Sequence, residues 1–305
     1  MKYISLILLI IIVLTGCQAP TTQESDGKIT IMATLFPQYD FARIVGGDQV
    51  TVTLILPPGV EAHAYEPTPK EVGAIQKADL FLYTGEQMEP WAHRLVSANE
   101  QVKAVDLSQA IVPLEQTEDD HEDHDEHEHE GIDPHIWTDP NNAITMVETI
   151  RDALAETLPE QADYFEDNAQ KYITELKQLD RDFKDLFAEK INHEIFFAGH
   201  NAFGYFIQRY DLHFHTPYTG FSPDAEPSPR AITELMEKMT RSESKVIYYE
   251  ELIEPKVAQV IRDATGADMM LLNGAHNISK EDLNAGVSYL DIMRQNLAAL
   301  DKGLQ

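Results

Sequence analysis

The sequence predicts an α/β fold of two lobes, each with a roughly four-stranded parallel sheet flanked by helices, joined by one long rigid helix. Three observations carry this. Short apolar runs of strand length recur in both halves of the 305-residue chain. Helical stretches separate most of them, and strand–helix alternation at this spacing gives parallel sheets covered on both faces. Between the two sets lies a segment whose apolar residues keep to one helical stripe.

In the first half the strand candidates are Ile29–Ala33, Val50–Leu56, Asp79–Tyr83 and Val102–Val105. Helices are expected over Gln38–Gly46, Thr68–Lys77 and Glu89–Asn99, with another beginning around Asn141. After Pro159, apolar residues fall at Phe165, Ala169, Tyr172, Leu176, Leu179, Phe183 and Leu186, alternately four and three apart. A helix over Glu160–Glu189 is about 45 Å long at 1.5 Å per residue, enough to connect two lobes stiffly. The second half has strand candidates at Glu194–Ala198, His213–His215, Lys245–Tyr249 and Asp268–Leu272. Its helices are expected over Ala202–Tyr210, Ser228–Arg241 and Pro255–Thr265. The chain thus divides into an N-terminal lobe over 29–158, a connecting helix over 159–190 and a C-terminal lobe over 191–305.

The N-terminus reads as an export signal. A basic start at Lys2 leads into the apolar run Ile4–Leu14, too short to span a membrane with confidence. Leu14-Thr15-Gly16-Cys17 then ends it in the pattern at which lipoprotein signal peptides are cleaved. Cys17 is the only cysteine, so it makes no internal disulfide, and it stands where a lipid anchor would attach. Residues 18–28 form a polar tether. These features predict a protein held by lipid at the outer face of a membrane, or periplasmic. The formal net charge of −29 argues against nucleic acid as a partner, because a polyphosphate is repelled.

The tract Glu118–Glu130 (EDDHEDHDEHEHE) contains only His, Asp and Glu. Without apolar residues it has nothing to bury, and the loop 115–131 is expected to be disordered. Its imidazoles His121, His124, His127 and His129 suit zinc, copper and nickel. A hydrated run of donors without rigid support binds weakly, so the tract reads as an auxiliary metal loop.

Four other histidines sit in loops at element ends: His63 in PPGVEAHAYEPTP, His135 in DPHIWTDP, His200 in AGHNAFGYF and His276 in NGAHN. Those that follow strands lie just beyond carboxyl ends, where open parallel sheets bind ligands. Four nitrogen donors, or three with a carboxylate or water, match tetrahedral zinc. Manganese, being harder, draws more on oxygen. Asp133 or Glu66 is placed to accept the free ring N–H of a ligand histidine. His93, His193, His213 and His215 are read as structural or surface residues, and Trp137, Phe203 and Tyr205 as lobe packing.

Here the sequence resembles the zinc/manganese-specific substrate-binding lipoproteins of ABC metal importers, and specifically their zinc-type members. The matching pieces run in order through Thr34-Leu35-Phe36-Pro37, Pro57–Pro69, Lys77-Ala78-Asp79-Leu80, Met88-Glu89-Pro90-Trp91 and Asp133–Pro140. They continue through Gly199–Phe206, Asp224–Pro229 and Tyr289–Leu297. The resemblance implies a metal site in the interlobe cleft with His63, His135 and His200 as ligands. His200 stands where manganese-type members tend to carry a carboxylate. The fourth position, less uniform in the family, is assigned to His276, with Glu61 or water as alternatives. The resemblance also implies a monomer that captures Zn²⁺ and delivers it to an ABC permease with its ATPase subunit, without chemistry on the ion. The alternatives are a manganese receptor of the same family, an adhesin, or an exported zinc-dependent hydrolase. The last would need an open metal position and a general base, and the His-Glu-x-x-His motif is absent from the sequence.

Overall fold

The structure is a computed structural model that describes residues 27–115, 131–221, 226–252 and 254–304. The signal segment, Cys17, most of the tether and the tract histidines His121, His124, His127 and His129 lie outside the described residues.

Two four-stranded parallel sheets form the two lobes. The first contains β1 (Ile29–Ala33), β2 (Val50–Leu54), β3 (Leu80–Tyr83) and β4 (Ala104–Asp106), in the order β2-β1-β3-β4. The second contains β5 (Glu194–Ala198), β6 (His213–His215), β7 (Val246–Tyr249) and β8 (Asp268–Leu271), in the order β6-β5-β7-β8. The order is the same in both, so each lobe reverses direction beside its first strand. A crevice opens there at the carboxyl ends of the strands.

Helices α1 (Phe36–Gly46), α2 (Pro69–Ile75), α3 (Pro90–Ala98) and α4 (Pro140–Thr157) belong to the first lobe. The connecting α5 runs over Ala162–Glu189, after a short 3-10 turn at Pro159–Gln161. Helices α6 (Gly204–Tyr210), α7 (Pro229–Arg241), α8 (Lys256–Thr265), α9 (Lys280–Ala285) and α10 (Tyr289–Gly303) complete the second lobe. Sequence punctuation sets several boundaries. Prolines open α2, α3, α4 and α7, where the missing N–H is harmless, and Thr68, Asp139, Ser228, Ser279 and Ser288 accept N-cap bonds.

Every apolar residue of the predicted α5 stripe is buried, and Ile173 and Phe187 widen it. The 28-residue helix is about 42 Å long, but it is no free-standing rod. One hydrophobic core runs continuously from Ile29 and Phe41 through Phe165, Leu176 and Phe183 to Phe206, Tyr289 and Leu300. The lobes are therefore joined by shared packing as well as by the helix. Two smaller clusters cover the outer sheet faces, around Phe81 and Trp91 in one lobe and around Phe196 and Ile261 in the other. Asp180 on α5 bonds Arg209 Nε on α6 at 2.7 Å, and the same Nε lies 3.1 Å from Asp139 at the head of α4. Among the described residues, no helix is long and apolar enough to cross a membrane.

At the carboxyl ends of β1 and β3, Glu89 is fully enclosed. Its oxygens accept from the Thr34 hydroxyl and, at 2.7 Å, from the Thr84 backbone N–H. Burial pushes its carboxyl from 4.5 up to about 8, against the opposing pull of those bonds. The folded protein thus retains a proton that the unfolded chain releases. This contribution to stability is complete below about pH 4.5 and is lost as the pH rises through about 8. Glu89→Gln, whose amide can serve the same two threonines, is expected to flatten that decline. Urea midpoints at pH 5 and pH 8 measure it, and the variant's drop between them should be the smaller.

Candidate metal centre

Each candidate histidine hangs on a loop that its neighbours fix. His63 lies in the loop after β2, where Glu61 accepts the backbone N–H groups of His63 (2.7 Å) and Ala64 (2.9 Å). His135 begins a 3-10 turn ahead of α4, with Thr138 Oγ1 donating back to its carbonyl at 2.8 Å. His200 leaves the end of β5, and His276 follows β8. The last loop is stitched to the other lobe. Asn277 Nδ2 donates to the Pro57 and Val60 carbonyls at 3.1 and 2.5 Å, and Gly59 N donates to the Ile278 carbonyl at 3.0 Å. Trp137 Nε1 donates to the Gly274 carbonyl at 2.7 Å.

The structure brings His63, His135 and His200 together, with one ligand atom from each within 4.8 Å of the others. His135 Nε2 lies 3.2 Å from His63 Nε2 and 3.4 Å from His200 Nε2. Nitrogen donors about 2.05 Å from a tetrahedral zinc stand about 3.3 Å apart, so these spacings fit a shared ion. His276 borders the group, its ring centroid 5.8 Å from that of His200 and 6.4 Å from that of His63.

The other ring nitrogens face carboxylates. His135 Nδ1 is 2.8 Å from Asp133 Oδ1, and His200 Nδ1 is 2.6 Å from Glu250 Oε2. Asp133 Oδ1 also accepts the His135 backbone N–H at 2.9 Å. Where Asp133 is ionised, His135 Nδ1 donates to it and Nε2 presents its lone pair. His276 Nδ1 repeats the pattern more loosely, 3.4 Å from Glu251 Oε1.

Burial dominates the electrostatics. His135 and His200 are 0% and 1% exposed. Enclosure, and then the neighbouring histidines, lowers His63 to about 3 and holds His135 well below its ordinary value. Burial, followed by His200, takes His276 to about 4. The same effect pushes Asp133 and Glu251 up to about 7. These imidazoles are neutral at physiological pH, the state in which a metal takes them. A cation placed among these nitrogens, 3.2–3.4 Å apart, can take one lone pair from each ring.

Of the two carboxylates expected to accept a ring N–H of a candidate histidine, Asp133 stands against His135 Nδ1 at 2.8 Å. Glu66 instead pairs with Arg94 at 3.1 Å on the exposed surface. Trp137 packs the lobe as expected, yet it also stands edge-on to the His135 ring at 5.6 Å. His193 Nε2 bonds backbone carbonyls and His215 pairs with Glu194, both away from the cluster. Sequence reading missed Glu250 and Glu251. The one available signal was their position directly after β7, the strand beside β5.

Comparison with known proteins fits this geometry. Residues 31–303 match the family described as zinc-uptake complex component A, periplasmic. The chain belongs to this family. It is 37% identical over 287 residues to the high-affinity zinc uptake system protein ZnuA of Bacillus subtilis, covering 92% of this chain and 89% of that protein. It is 35% identical over 305 residues to the zinc-binding lipoprotein AdcA of Streptococcus pneumoniae. That alignment covers 98% of this chain but spans only 60% of AdcA. Among solved structures, the Zn(II)-bound ZnuA-like domain of pneumococcal AdcA superposes with a TM-score of 0.77 at 33% identity, covering 91% of this chain and 99% of that one. The laminin-binding protein Lmb of Streptococcus agalactiae, described as a bifunctional protein with adhesin and metal transporting activity, gives 0.79 at 28% identity, with 91% and 100% coverage.

This member of the zinc-uptake family holds Asp133 with little room to spare. Its Oδ2 faces Gly204, and a Cβ added there would stand 2.2 Å from it. Gly204→Ala therefore has to displace the carboxylate that orients His135. The expected result is a loss of zinc affinity of roughly 10–100-fold, the usual effect of disturbing such a partner. Competition with a fluorescent chelator reads the affinity, and circular dichroism should show the fold retained.

Proposed function

We propose that this chain is the extracytoplasmic receptor of an ABC zinc importer. It binds one Zn²⁺ in the cleft through His63, His135, His200 and His276 and passes the ion unchanged to a permease driven by an ATPase subunit. The observation that carries the reading is the convergence of the His63, His135 and His200 ring nitrogens, with Asp133 and Glu250 on the far nitrogens of the last two. A donor set of neutral imidazoles suits zinc better than manganese, whose hardness calls for oxygen. Glu61 gives both oxygens to backbone N–H groups, which favours His276 over it as the fourth ligand. The zinc-binding and zinc-uptake relatives, one of them solved with Zn(II) bound, support the same reading. Asp133 and Glu250 are committed to ligand rings, which leaves neither as the general base a hydrolase requires. Cys17 is the lipid anchor, and the receptor works as a monomer.

The histidines of the tract, His121, His124, His127 and His129, serve as an auxiliary loop that gathers zinc beside His135. Glu115 and Ile132 form an antiparallel bridge, and Asp133 N donates to the Leu114 carbonyl at 2.9 Å. The loop's base is therefore closed two residues from His135.

Titration of metal-free, untagged protein is expected to show one tight zinc site that excludes manganese. His200→Ala should weaken it by more than the roughly 10–100-fold typical of losing an outer hydrogen-bond partner. A tight preference for Mn²⁺ would contradict the assignment. Deleting Glu118–Glu130 leaves enough chain to close the Glu115–Ile132 bridge, so it should lower total zinc stoichiometry and keep the tight site. Loss of that site on deletion would refute the division of labour.

A further inference from the structure

Three ligand histidines stand where a metal needs them, whereas His276 is incompletely seated. We propose that Glu251 is the positioning residue that makes His276 the fourth ligand, and so makes the site one of four imidazoles. This inference rests on the zinc-site reading above and names the residue that completes the site.

Glu251 directly follows Glu250, so neighbouring residues serve the two histidines of the second lobe. Both Glu251 and His276 are buried. Glu251 Oε2 accepts the Gly274 backbone N–H at 2.9 Å, which ties the carboxylate to the loop that carries His276. Its other oxygen, Oε1, faces His276 Nδ1 across 3.4 Å, and neither atom has a hydrogen-bond partner.

The rest of that loop is satisfied. Asn273 N donates to Asn296 Oδ1 at 2.8 Å, Asn296 Nδ2 returns a bond to the Asn273 carbonyl at 2.7 Å, and Ala275 N donates to Asn273 Oδ1 at 2.8 Å. The unmade bond is thus confined to one pair. A buried donor and acceptor left unpaired are unfavourable, and so small a gap is closed by a modest turn of the ring. Backbone strain brackets the pair. Ala275 at φ 58° and Leu252 at φ 63°, each adjacent in sequence to one partner, lie in the left-handed region that residues other than glycine avoid.

The chemistry follows from the other two rings. A carboxylate on Nδ1–H fixes the tautomer, frees the Nε2 lone pair and raises its basicity, as Asp133 does for His135. When Glu251 does the same, His276 turns its remaining nitrogen on the ion. The coordination then holds four nitrogens and no oxygen, which disfavours harder divalent cations.

The test is a double-mutant cycle on the full chain with Glu251→Gln, His276→Ala and the pair, reading Zn²⁺ affinity by chelator competition and imidazole count by X-ray absorption at the zinc edge. The expected result is four imidazoles in the wild type. In Glu251→Gln three imidazoles and an oxygen remain, affinity falls by about 10–100-fold, and the change causes no further loss once His276 is alanine. Glu251→Asp, which keeps the charge but withdraws the carboxylate, should also drop to three, so the conclusion does not depend on one variant folding. Equal losses with and without His276 would overturn the proposal, as would four imidazoles retained in either variant. Fewer than four in the wild type would instead overturn the His276 assignment, and the role of Glu251 with it.

Discussion

The structure depends on one constraint: uncharged imidazoles from separate loops of two lobes must meet in a seam from which water is largely excluded. The seam is sewn by directed bonds across it. Trp137, near His135 in the first lobe, donates to Gly274 in the loop of His276, and Tyr289 at the head of α10 donates to the Trp137 carbonyl at 2.5 Å. Asn277 reaches across to the Pro57–Val60 loop that leads to His63. Ligand loops are usually the mobile part of a protein. Here they share buried hydrogen bonds, so shifting one strains the next.

The fold makes this convergence possible by repeating one strand order. Both sheets turn their carboxyl ends to the same cleft, and His200 leaves the first strand of its sheet, at the crevice where the strand order reverses. The shared core around α5 then holds the two crevices face to face. Arg209 bridges Asp180 on α5 and Asp139, and so links the helix after His200 to the end of the loop that carries His135. A metal bound here adds a tie between elements already joined by packing and charge.

Much of this was legible in the sequence because the signals were local. Each of the eight strands overlaps a short run singled out in the sequence, and the α5 stripe was a periodic pattern that only a helix satisfies. Boundaries shifted where local chemistry was decisive: Val50–Leu56 ends as a strand at Leu54, though Ile55 and Leu56 still donate to the Ala33 and Thr34 carbonyls. Helices α9 and α10 escaped the strand–helix reading. The segment YLDIMRQNL stood out as a family match, and the Ser288 cap that starts its helix was overlooked. The histidines were found because each sits beside prolines or glycines at an element end. Glu250 and Glu251 could not be singled out among 52 acidic residues, since they lie 50 and 25 positions from the rings they face. The pairing of β7 with β5 on one side brings Glu250 to His200, and its pairing with β8 on the other brings Glu251 to His276.

The most direct test of the account is a zinc-edge anomalous difference map of crystals of the metal-loaded chain. The account predicts one strong peak in the cleft, bonded to Nε2 of His63, His135, His200 and His276 at about 2.0–2.1 Å. A peak that omits the first three, or whose fourth atom is an oxygen of Glu61, Glu251 or water, would contradict it.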